Sequence, residues 1–201
     1  MKIEIIQGPW TKTDAETVIS MRMAIFKEWP YLYVGDRKTE VEYITPYVKS
    51  SNSCLVIAKK EGKIIGLVTG LPLAEMDESF TAPFTQASLP IQSIFYLGEI
   101  LLLKEFRGAR LGYQMYKSFE DRVREWPRFT DIAILRMQYS PNNPKKPKDY
   151  KPLDEFWRRL GYVENSSLFL NIPYQEIGDE NKTSHHFCYS LKSLLLGKAL
   201  E

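Results

Sequence analysis

Met1 to Gln7 alternates weakly between apolar and polar positions and stops at Gly8-Pro9, which predicts a short opening strand. Thr13 and Glu16 have the spacing of a capping box. Behind them Val18, Met21, Ile25 and Trp29 recur at helical intervals up to Pro30. A second capping pair, Thr39 and Glu42, predicts a helix to about Lys49, with Pro46 expected to kink or shorten it. Two apolar runs, Cys54–Ala58 and Ile64–Thr69, flank Glu61-Gly62 and read as a β-hairpin. Residues 74–92 hold no sustained period and two prolines, so a long loop is expected there. A strongly apolar strand follows from Ile94 to Leu103. After a short basic connection comes a helix with Leu111, Met115, Phe119, Arg122 and Trp126 on one side, stopped by Pro127. Thr130–Met137 predicts a strand, 140–152 a loop, Leu153–Leu160 a helix closed by Gly161, and Tyr162–Asn171 and 187–191 two last strands. The order β-α-α-β-β-β-α-β-α-β-β predicts an α/β (mixed α+β) fold, one central sheet flanked by helices.

Composition narrows this picture. The chain has 201 residues, 44% of them hydrophobic, which suits one domain over residues 1–201 with a core large enough to need neither metal nor disulfide framework. A net charge of +2 gives no electrostatic argument for nucleic acid. No apolar run is long enough to span a bilayer, and the N-terminus lacks a signal peptide's apolar stretch, so a cytoplasmic protein without a membrane partner is expected. Cys54 and Cys188 lie in apolar runs and read as buried thiols. His185 and His186 are adjacent, so on a strand they face opposite sides; no metal site is expected. Lys145, Lys146 and Lys148 read as a solvated basic loop, with contact to a ligand phosphate as the alternative.

The informative stretch is Gly98 to Tyr113. An apolar strand runs into a loop holding Arg107, Gly108, Ala109 and Arg110, then a helix opens with Leu111, Gly112 and Tyr113. Helix N-termini carry unpaired N–H groups and partial positive charge, glycine lets an anion approach the backbone, and two arginines stand beside it. This arrangement suits a phosphate or pyrophosphate. The segment YLGEILLLKEFRGARLG resembles the acetyl-CoA motif of the GNAT superfamily of N-acetyltransferases. That pattern is Arg or Gln, any two residues, Gly, any residue, then Gly or Ala. Arg107 fits the first position and Gly112 the last, while Arg110 replaces the middle glycine. Phe156-Trp-Arg-Arg-Leu-Gly-Tyr-Val163 resembles the family's late helix–strand segment. The resemblance implies a twisted mixed sheet in which two central parallel strands splay apart. It also implies acetyl-CoA as co-substrate, with pantetheine against the backbone of Ile100, Leu101 and Leu102 and pyrophosphate at Arg107–Tyr113.

Acetyl transfer to an amine needs the amine neutral, the oxyanion held and the thiolate released. Glu99 is the one acid in the strand from Ile94 to Leu103, so it is the candidate base or ammonium-binding group, with structural pairing as the alternative. Backbone N–H near Leu102 is the candidate oxyanion donor. Many family members place a Tyr where this chain has Trp157, whose indole N–H is too weak an acid to protonate a thiolate; Tyr96, Tyr139 and Tyr150 are the substitutes considered. Trp29, Tyr31, Tyr33, Phe80 and Phe84 are candidates for the acceptor pocket, with ordinary packing as the alternative. Three functions stay open: an N-acetyltransferase for small amines, one for peptides or proteins, and a non-catalytic acyl-CoA-binding module on the same fold. A monomer or homodimer is expected.

Overall fold

A computed structural model describes residues 1–195, and residues 196–201 of the expected domain lie outside the described part. The strands are β1 (Lys2–Gln7), β2 (Cys54–Lys60), β3 (Lys63–Pro72), β4 (Ile94–Leu102), β5 (Asp131–Met137), β6 (Val163–Gln175) and β7 (Lys182–Ser193). They form one mixed sheet in the order β1-β2-β3-β4-β5-β7-β6. The helices are α1 (Lys12–Ile25), α2 (Arg37–Lys49), α3 (Glu78–Gln86), α4 (Leu111–Arg124) and α5 (Asp154–Arg159).

Strand alternation builds two cores. In β2, Cys54, Val56 and Ala58 face α4 and α5, meeting Leu111, Met115, Phe119 and Trp157. Leu55 and Ile57 face the other way and meet Val18 and Ile19 of α1, Ile44 and Tyr47 of α2, and Phe84 of α3. The predicted hairpin is present, with Glu61 and Gly62 both at positive φ in its two-residue turn.

Several boundaries differ from the expectation. The N-cap of α1 is Thr11, whose hydroxyl accepts from Asp14 N at 3.1 Å while the Asp14 carboxylate accepts from Thr11 N, so the box lies two residues earlier than Thr13–Glu16. Asp36 caps α2, its side chain accepting from Thr39 N at 2.7 Å, in place of Thr39. α1 ends at Ile25, four residues before the expected stop at Trp29, with Phe26 as its C-cap. The helical-looking run to Trp29 instead becomes a loop, which docks on β6 through a Tyr33–Glu176 bridge and Val34 N–Gln175 O and Ile177 N–Leu32 O bonds. Residues 74–92 are not a plain loop. They hold α3, which buries Phe84 and Thr81 and is tied to β7 by Tyr189 Oη donating to Phe80 O at 2.9 Å. Pro46 stands inside α2 without ending it.

Candidate functional site

The sheet opens at one place. β4 and β5 pair in parallel only from Ile94–Leu97 to Asp131–Ile134. Beyond Leu97, β4 stays with β3 as far as Leu102, and β5 stays with β7 as far as Met137. Among the described residues, the facing edges of Gly98–Leu102 and Leu135–Met137 therefore lack a strand partner on that side. The divergence begins at a bulge in β4, where Thr69 opposes Glu99 and Gly70 opposes Leu97, leaving Gly98 as the extra residue. Glycine is required there, because a Cβ at 98 would stand 2.3 Å from the Tyr47 hydroxyl and 2.7 Å from Thr69 Oγ1.

Directly after β4 the chain enters the basic loop. Gly108 and Arg110 both have positive φ, 88° and 60°. Arg110 is the N-cap of α4 and makes no side-chain cap bond. It holds the left-handed conformation that glycine adopts without strain, which explains why a glycine is common at this place in the resembling motif. The first backbone bond of α4 is Gln114 N to Arg110 O at 3.0 Å. The N–H groups of Leu111, Gly112 and Tyr113 are thus left at the helix end. A Cβ at Gly112 would meet nothing within 4 Å among the described residues, so their packing does not demand glycine there. The open strand edges, the free helix end and the space over Gly112 fit a ligand with an amide arm and a phosphate. Arg107 stands at the mouth: its Nε donates to Leu102 O at 2.9 Å, and its Nη1 and Nη2 bond Glu28 at 2.6 and 3.2 Å.

On the α1–α2 face, a cavity of about 170 Å³ backs onto the splay, with Gly98 and Glu99 of β4 and Leu135 of β5 in its wall. Glu99 is buried at 5% exposure, and it is partnered rather than isolated in apolar surroundings. Arg22 of α1 donates to one carboxylate oxygen and the Thr69 hydroxyl donates to the other. Arg22 Nε also donates to Glu40 of α2 at 2.5 Å, and the guanidinium lies 4.1 Å from the Tyr43 ring centre and 4.8 Å from that of Phe26. Burial works against the Arg22 charge, but Tyr43 and Glu40 outweigh it and hold its pKa above the usual value. Tyr31 and Tyr33 from the α1–α2 loop, Phe80 from α3, Tyr96 from β4, and Tyr174 and Phe187 from β6 and β7 supply ring surfaces. Burial raises the pKa of the Tyr31 and Tyr174 phenols, and that of Tyr96 well above its usual value, so all three are neutral hydroxyls.

Of the expected pocket aromatics, Tyr31, Tyr33 and Phe80 line the cavity. Phe84 does not; it is fully buried against Tyr189, with ring centres 4.6 Å apart. Trp29 packs edge-on against Tyr139 and Tyr150 instead, outside the cavity lining. Trp157 is a core residue against Phe156 and Tyr162. Lys145 is bonded to Glu176 and Asp179, and His185 is stacked on Tyr174 while His186 lies exposed against Phe169. A larger hollow of about 330 Å³ lies between α2 and residues 75–77 and includes none of the residues above. Sequence reasoning missed Arg22, Glu40, Tyr43 and Thr69. A signal existed for two of them: Arg22 is four residues after Val18, and Glu40 four before Ile44, so each charge sits on its helix's apolar stripe. Among the described residues, no helix is long and apolar enough to cross a membrane.

Comparisons with known proteins agree with this fold. The model of the acetyltransferase (GNAT) family matches residues 21–162. No curated protein matches the sequence. Among solved structures, a ribosomal-protein-alanine N-acetyltransferase from Brucella melitensis is 12% identical, with a TM-score of 0.59 over 95% of this chain and 99% of its own. An aminoglycoside 6'-N-acetyltransferase complexed with coenzyme A is 13% identical, with a TM-score of 0.55 over 96% and 97%. The YncA protein of Salmonella typhimurium, with its cofactor acetyl-CoA, is 10% identical, with a TM-score of 0.54 over 96% and 95%. At these identities the likeness is one of fold.

Proposed function

The chain belongs to the acetyltransferase (GNAT) family, and from that premise we propose that it transfers the acetyl group of acetyl-CoA to a primary amine by direct attack within a single domain. The observation that carries this reading is the parting of β4 and β5 at Gly98, immediately ahead of the open N-terminus of α4 and beside the buried carboxylate of Glu99. Acetyl-CoA, when bound, supplies the thioester.

The residues divide the work as follows. The N–H groups from Gly108 to Tyr113, including those of Ala109, Arg110, Leu111 and Gly112, receive the pyrophosphate, with Arg107 beside them. The β5-facing backbone of Ile100, Leu101 and Leu102 pairs with the pantetheine amides, and an N–H near Leu102 holds the oxyanion. Glu99 meets the incoming ammonium in the cavity and takes its proton, directly or through a water. Arg22 and Thr69 use one lone pair on each Glu99 oxygen and fix the carboxylate's orientation; a carboxylate has about four such sites, so acceptor capacity is left for the amine. Trp157 serves packing and gives up no proton.

A thiol-release assay with acetyl-CoA and a panel of amines tests the reading. Amine-dependent release of coenzyme A, reduced by Glu99→Gln, is the expected result. Binding of acetyl-CoA without release to any amine would leave only the acyl-CoA-binding alternative.

A further inference from the structure

The walls of the cavity beside Glu99 carry information about the acceptor that the family does not. Its charged side chains are Arg22, Glu40 and Glu99, so two carboxylates face one guanidinium. Glu40 and Glu99 are buried at 1% and 5% exposure, and in that setting an uncompensated negative charge calls for a cation. The remaining surface is mostly ring faces, among them Phe26, Tyr43, Phe80 and Tyr96. Such faces favour an ammonium at short range and an apolar body beyond it. An apolar cavity of about 150 Å³ holds one benzene ring, and this hollow, which is open to solvent on one side, has an interior of about 170 Å³.

We infer that the acceptor is a primary amine on a compact apolar body about one ring in size, its ammonium against the free lone pairs of Glu99, whose partner Arg22 is shared with Glu40, and its body against Phe80, Tyr96 and Tyr174. The inference rests on the acetyl-transfer reading above and narrows it. A peptide brings a run of backbone N–H and C=O groups, for which the lining offers, beside its charged cluster, tyrosine hydroxyls and the Thr39 hydroxyl. A polyamine or amino sugar brings further charges or hydroxyls with the same difficulty, and more volume. Tyr31 and Tyr33 limit the cavity from the side of the α1–α2 loop, which the Tyr33–Glu176 bridge fastens to β6.

The test is thiol release at saturating acetyl-CoA with benzylamine and cyclohexylmethylamine, against spermidine, an amino sugar and a short peptide with free N-terminal and lysine amines. The ring amines are expected to show kcat/KM at least tenfold above the other three. Phe80→Ala, which enlarges the cavity, is expected to shift the preference towards naphthylmethylamine. Glu40→Gln is expected to raise the benzylamine KM at least fivefold with the acetyl-CoA KM unchanged. Faster turnover of the peptide, the amino sugar or spermidine would overturn the inference and leave acetyl transfer standing. Absence of thiol release with every amine would overturn both. Should Glu40→Gln fail to fold, the wild-type panel decides alone.

Discussion

At the scale of single residues, the account turns on the company a carboxylate keeps. Glu99 was legible in the sequence as the lone acid of an apolar strand, but its partners were not, because Arg22, Thr69 and Glu40 come from three other elements. Such a cluster is costly to break: removing one member of a buried ion pair costs about 3–5 kcal/mol. For this reason Glu99→Gln, which keeps shape and hydrogen-bonding, is a better probe than truncation. Loss of a general base costs about 10²–10⁴ in rate. The expected result for Glu99→Gln is a fall in kcat of that order with acetyl-CoA affinity retained. The rate should recover as pH rises towards the amine's own pKa of about 10, where the acceptor loses its proton unaided. A rise in acceptor KM with kcat unchanged would assign Glu99 to binding alone. Arg110 makes a different point. Its left-handed backbone carries a strain of roughly 1–2 kcal/mol, so Arg110→Gly is expected to leave the melting temperature unchanged or higher. Arg110→Val is expected to lower it, since a β-branched residue fits φ of 60° poorly. Equal melting of the two variants would contradict that view.

Elements were read well where one period dominated. The hairpin of β2 and β3, the strand β4 and the helix α4 emerged within a few residues of their observed bounds, since each has an uninterrupted apolar pattern ended by glycine, proline or charge. α3 was missed because its nine residues include Pro83 and too few turns to display a period. Its existence separates two phenylalanines that the sequence treated alike. Phe80 faces the cavity and Phe84 is core. Phe80→Ala is expected to raise acceptor KM with little change in acetyl-CoA KM, whereas Phe84→Ala is expected to destabilise the fold by about 3–5 kcal/mol. Paired kinetics and thermal melts check the contrast. The opposite assignment of effects would mean that α3 is turned differently on its axis.

On the scale of the whole molecule, the site is a product of topology. A sheet fed by α1–α3 on one face and α4–α5 on the other parts between β4 and β5, and in the proposed function that parting gives the cofactor arm a passage and the acceptor a chamber on the α1–α2 side. The geometry of the proposed cofactor half, strand β4, basic loop and helix α4, was legible because it lies in one continuous segment, Gly98 to Tyr113, whose chemistry is mainly backbone and helix end. The cavity proposed for the acceptor was only partly legible, because its walls come from residues 22 to 187 and meet only in the folded chain. The two halves share one requirement, that acetyl-CoA bind at the N-terminus of α4. Calorimetric titration of acetyl-CoA tests this most directly. The account predicts binding to the wild-type protein, at least tenfold weaker binding to Arg107→Glu with its fold intact, and unaltered affinity in Glu99→Gln. Equal affinity of the wild type and a folded Arg107→Glu protein would contradict it.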